Sequence, residues 1–114
     1  MGRLARLIQR LPGRRRTWRV VDQVASGADV PDRLPPNGAV VVRALGADRF
    51  LALDCPCAEH HRLLLDLDMD HYPAWAVRRL DPLTLWPSID YRGADRRCHF
   101  VIRQGQVRWV QNDG

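Results

Sequence analysis

Residues 40–61 read Val-Val-Val-Arg-Ala-Leu-Gly-Ala-Asp-Arg-Phe-Leu-Ala-Leu-Asp-Cys-Pro-Cys-Ala-Glu-His-His. Two apolar-rich runs, Val40–Leu45 and Arg49–Asp54, flank Gly46-Ala47-Asp48, which predicts a β-hairpin. The second run leads straight into two cysteines, one carboxylate and two histidines. Strand signals continue downstream at short intervals. They cover Arg62–Leu67, Ala74–Leu80, Leu83–Trp86 closed by Pro87, and the pair Cys98–Arg103 and Gln106–Val110 around Gln104-Gly105. Strands recurring every 8–12 residues with turns between them predict a mainly β, small antiparallel domain.

Upstream the pattern differs. Residues 25–38 are rich in Gly, Pro, Asp and Asn and read as a loop. Leu4, Leu7, Ile8 and Leu11 recur at helical spacing opposite Arg3, Arg6 and Arg10, which predicts a short basic amphipathic helix ended by Pro12-Gly13. The expected division is therefore a basic N-terminal extension, residues 1–19, and a β domain, residues 20–114.

The chain has 114 residues and a net charge of +5. Seven arginines and no acid lie in residues 1–19, so that segment carries +7 and the rest −2. The basic balance belongs to the tail. The chain contains no lysine, as a GC-rich genome would produce, and this weakens a nucleic-acid reading. Aromatic residues are not interleaved with the tail arginines except at Trp18, which weakens it further. No apolar run approaches the roughly 20 residues of a membrane helix, and no secretory or acylation signal is visible at the start. The expected compartment is the cytoplasm.

Three cysteines and four histidines carry the chemistry. An odd number of cysteines in an intracellular setting argues against a disulfide framework. Thiolate and imidazole suit zinc, which takes four ligands in a tetrahedron. In an extended strand Cys55 and Cys57 face one side, and Pro56 stiffens the link. Cys98 is the natural third ligand. The fourth place is open to His61, His60, His99 or water. A regular strand turns Cys98 and His99 to opposite sides, so both reach one metal only if the strand bends. Glu59 is the only glutamate and lies two residues beyond Cys57, close enough to move a proton for a zinc-bound water. Cys57-Ala58-Glu59 also echoes zinc deaminases, but the Pro-Cys-x-x-Cys helix of that pattern is missing. Asp54 is a candidate to orient a ligand. His71, in Asp68-Met69-Asp70-His71, reads as part of a solvated acidic loop. Trp75, Trp86 and Trp109 read as core aromatics. Ser88, in Pro87-Ser88-Ile89, lacks a Gly-x-Ser-x-Gly elbow and reads as a turn serine.

In order, Asp54-Cys55-Pro56-Cys57, Leu83-Thr84-Leu85-Trp86-Pro87-Ser88-Ile89 and Cys98-His99-Phe100-Val101-Ile102-Arg103-Gln104-Gly105-Gln106-Val107-Arg108-Trp109 resemble a bacterial family known as domain of unknown function 6527. The resemblance spans about residues 38–110. It implies a zinc-binding β domain. Some members are encoded beside a ubiquitin-like modifier and its E1-like and E2-like enzymes. There such a domain is thought to be a peptidase that trims or releases the modifier. Cys55 and Cys57 match the family's Cys-x-Cys, and His99 its histidine before an aromatic. Glu59 and Arg96 stand where many members carry further cysteines. The expected metal ligands are then Cys55, Cys57, Cys98 and His99, with Glu59 and His61 catalytic. The expected activity is that of a zinc metallopeptidase, and the alternative is an adaptor with a structural Zn2+ that binds the modifier or its enzymes.

Overall fold

The computed structural model describes residues 17–111, and the expected N-terminal helix lies outside them. Nine strands are present among the described residues: β1 (Arg19–Val24), β2 (Gly38–Ala44), β3 (Ala47–Asp54), β4 (Arg62–Asp66), β5 (Ala76–Leu80), β6 (Leu83–Trp86), β7 (Ile89–Arg92), β8 (Arg97–Arg103) and β9 (Gln106–Trp109). They form a four-stranded sheet β1-β2-β3-β4, a two-stranded sheet β5-β6 and a three-stranded sheet β7-β8-β9. The domain is mainly β and its sheets are antiparallel, save that β1 runs parallel to β2. That parallel pair joins through the Pro- and Gly-rich loop, where Gly27–Asp29 make one 3-10 turn.

Alternation decides which side chains meet. In β8 the residues Cys98, Phe100 and Ile102 are buried, while Arg97 and Arg103 are exposed. In β6 Leu83 and Leu85 point inward. β2 breaks the alternation because it lies between β1 and β3 in the widest sheet, and Gly38 to Val42 are all buried. These strands supply one core around Phe100, Leu51, Leu53, Leu83, Leu85 and Ile102. Burying such aliphatic and aromatic side chains contributes about 1.5–3 kcal/mol each.

Trp18 enters this core as well, and it was not among the aromatics expected there. Its N–H donates to the Gly105 carbonyl and its carbonyl accepts from the Leu83 N–H. Gly105 sits at φ +77, and a side chain there would collide with Thr17. By contrast Trp86 and Trp109 are about half exposed, against the expectation of core aromatics. Trp86 ends β6 on its outward face, and Trp109 lies near the end of the edge strand β9.

Candidate functional site

The β3–β4 connection, residues 55–61, is a tight loop. The Cys55 N–H donates to the His61 carbonyl at 2.8 Å, and the His60 N–H donates to the Cys57 carbonyl at 3.2 Å. His60 takes φ +50, which lets the chain reverse. The reversal brings His61 back over Cys57, with Sγ and Nδ1 3.4 Å apart. From the other side β8 delivers Cys98. One ligand atom from each of Cys55, Cys57, His61 and Cys98 lies within 4.8 Å of the others.

Three sulfurs and one imidazole nitrogen are a zinc donor set. With zinc–sulfur at about 2.3 Å and zinc–nitrogen at about 2.0–2.1 Å, a tetrahedron separates sulfur and nitrogen by roughly 3.5 Å. The Cys57–His61 spacing fits such an edge. All three cysteines are buried and unpaired by disulfides. Burial pushes the Cys55 thiol up to about 12 and raises Cys98 too. Burial acts the same way on Cys57, but the backbone N–H groups of Glu59 and His60 and the neighbouring thiols outweigh it and lower it to about 6. The cluster thus favours one thiolate, at the position with the most donors around it. The His61 ring also packs against Tyr91, with centroids 4.1 Å apart.

His99, expected among the metal ligands, is elsewhere. β8 is regular at this point, so Cys98 and His99 point to opposite sides of the strand. On the outer side His99 Nε2 lies 3.0 Å from Ser88 Oγ. Ser88 directly precedes β7, in which Ile89 pairs with Phe100 and Asp90 with His99. The Ser88 carbonyl accepts the Trp75 indole N–H at 3.1 Å, which fixes the serine's backbone. Asp90, opposite His99, is held by Arg97 through two contacts of 2.9 and 2.8 Å. Those hydrogen bonds, reinforced by the charges of Arg97, Arg92 and His99 against a small burial cost, lower its carboxyl to about 2.

The other expected site residues separate. Glu59 is exposed and pairs at 3.1 Å with Arg96, whose guanidinium in turn reaches the Cys57 sulfur. Asp54 is occupied by Arg62 at 2.7 Å. His71 pairs with Asp66 at 2.7 Å on the β4–β5 connection. Ser88 was passed over because no elbow motif surrounds it. The signal that would have found it is the strand direction itself, which already turned His99 away from the metal.

A serine hydroxyl in hydrogen-bond reach of an imidazole is the arrangement of a nucleophile and its general base. On the other side of the strand lies a cluster of three cysteines and one histidine that could hold a metal ion. Fold and site together describe a small β domain that combines a cysteine-histidine cluster able to hold a metal ion with a Ser–His pair. The model of the bacterial ubiquitination-like system serine protease (BubE) family matches residues 26–110, and the chain belongs to that family. No curated protein and no solved structure matches the chain. The family's description names a serine protease, and it lends no support to the expectation of a metallopeptidase. Among the described residues no helix is long and apolar enough to cross a membrane.

Proposed function

We propose that the chain is a serine protease that processes or releases the protein modifier of a bacterial ubiquitination-like system. Ser88 is the nucleophile and His99 the general base. One observation carries this reading, the 3.0 Å approach of Ser88 Oγ to His99 Nε2, and the family match supports it. The Ser88 hydroxyl adds to the scissile carbonyl as its proton passes to His99 Nε2. The imidazolium then returns that proton to the leaving amine. Water, deprotonated by the same nitrogen, cleaves the acyl-serine ester. The Asp90 carboxylate opposite His99 stabilises the imidazolium electrostatically, while Arg97 holds it in place.

Zinc enters this reading as a structural ion. Cys55, Cys57, His61 and Cys98 would hold it, and four protein ligands leave no open position for an activated water. When bound it would tie the β3–β4 loop to β8, the strand that carries His99. The adaptor alternative shares this metal and lacks the chemistry at Ser88.

The test is labelling of the zinc-loaded protein with a fluorophosphonate, together with cleavage of a modifier precursor from the same operon. Ser88→Ala should abolish both and leave folding and zinc content intact. Cleavage that survives in Ser88→Ala overturns the assignment. A wild-type protein that binds the modifier without cleaving or reacting favours the adaptor.

A further inference from the structure

The outer face of the β7-β8-β9 sheet holds more than the Ser–His pair. His99, Val101 and Arg103 follow one another on that face of β8, and Arg108 of β9 pairs with Val101 and so joins them. At the end of the row Arg103 lies over the Trp86 ring, its guanidinium carbon 5.4 Å from the centroid. Arg78 of β5 lies over the same ring at 5.7 Å. Both distances are within cation–π range. The ring is about half exposed and floors a depression of about 260 Å³ shared with both arginines. Among the described residues no carboxylate pairs with Arg78, Arg103 or Arg108. The protein's other arginines near this sheet have carboxylate partners, with Arg92 and Arg97 sharing Asp90 and Arg96 on Glu59.

Two cations gathered on one ring repel each other unless an anion joins them. We propose that this patch is the docking subsite for an acidic stretch of the protein substrate, and the proposal rests on the protease reading above. Geometry sets which part of the substrate it meets. Arg103 is four residues beyond His99, so about 13 Å of strand separates them. An extended chain covers that span in about four residues. Aspartates or glutamates about four residues from the bond presented to Ser88 would meet Arg103 and Arg78 over Trp86. Continuity with the Ser88–His99 pair and the unneutralised charge both favour an acidic peptide. A nucleic acid fits less well, because single strands stack on successive rings and this patch offers one.

The probe is a fluorescein-labelled peptide carrying four consecutive glutamates, read by anisotropy at low salt with Ser88→Ala protein. Binding should be measurable, weaken with added salt, and fall about tenfold or more in the Arg78→Glu/Arg103→Glu double variant. Arg43→Glu, at the distant β2–β3 hairpin, makes half that charge change and should bind as Ser88→Ala alone does. Peptide binding that ignores the double variant, or that falls as much in Arg43→Glu, overturns the subsite. So does failure to bind the peptide where a single-stranded oligonucleotide binds. Should charge reversal compromise folding, Arg78→Gln/Arg103→Gln must reduce the salt dependence, and an unchanged slope also overturns it. Fluorophosphonate labelling of wild-type protein is read separately. Its absence alongside intact peptide binding would end the protease reading and leave the acidic-peptide surface standing.

Discussion

The two sides of β8 carry two different chemistries one residue apart. Inward, Cys98 joins Cys55, Cys57 and His61 in a buried cluster whose ligand atoms lie within 4.8 Å of one another. Outward, His99 meets Ser88 on a half-buried face. With a metal bound, the inner site would constrain the chain by fastening a loop to a distant strand. The outer site, in the function proposed above, is a reactive pair presented to a substrate. The period-two alternation of a strand separates them, and the inner site can hold the outer one steady without taking part in its chemistry. The lesson is that a cysteine-histidine cluster suited to a metal need not be the reactive centre of the fold that carries it.

The comparison breaks most visibly through the inner site. Cys55→Ser, or exhaustive chelation of the wild type, should remove the metal and destabilise the domain by several kcal/mol or unfold it. Zinc analysis and a thermal melt check this. A metal-free protein with unchanged melting would mean that the sulfurs are only buried apolar groups.

The two histidines sharpen the contrast. His61→Ala should lower zinc occupancy and the melting temperature. His99→Ala should leave both nearly untouched and reduce cleavage by on the order of 10⁶-fold. If His99→Ala loses zinc while His61→Ala keeps it, the two sides of β8 have been assigned in reverse.

Much of this was legible in the sequence, for reasons that differ by element. The hairpin β2–β3 and the pair β8–β9 announce themselves, because apolar runs flank Gly46 and Gly105, both at positive φ. β1 and β7 escaped. Arg19–Val24 alternates weakly and leans on β2 in parallel, a long-range pairing that local pattern does not encode. Ile89–Arg92 is only four residues and follows a proline. At the site, Cys55, Cys57 and Cys98 were readable because thiols in a small chain have few other uses. The choice among histidines was not, since His60's positive φ sets which imidazole returns to the sulfurs. Ser88 was set aside for want of an elbow motif, because the imidazole beside it lies 11 residues away on a neighbouring strand.

Glu59 tests the boundary between the two sites at lower amplitude. The sequence suggested a proton shuttle, and in the structure the exposed carboxylate is engaged by Arg96. Glu59→Gln should therefore leave zinc content, melting and cleavage within about twofold of wild type, as expected for an exposed ion pair. A collapse of cleavage with zinc retained would restore the metal to the chemistry and remove Ser88 from it.

The smallest expected effect belongs to His71, a histidine in neither site. Its Nδ1 lies 2.7 Å from Asp66, and its Nε2 lies 3.5 Å from Asp68. The Asp66 hydrogen bond, with the charges of Asp66, Asp68 and Asp70, raises its pKa above the ordinary 6.5. The same turn lowers Asp66, whose carboxylate accepts the Asp68 N–H and the His71 ring. A raised histidine stabilises the fold fully below its unfolded pKa and loses that contribution as pH rises through the folded one. Wild type should therefore melt slightly above His71→Asn at pH 6, by about a degree given the exposure of the pair, and the gap should close by pH 9. Any zinc contribution varies with pH but is common to both proteins, so it cancels in the difference. A gap that widens with pH would mean that His71 acts as a neutral ring and that its carboxylate partners are incidental.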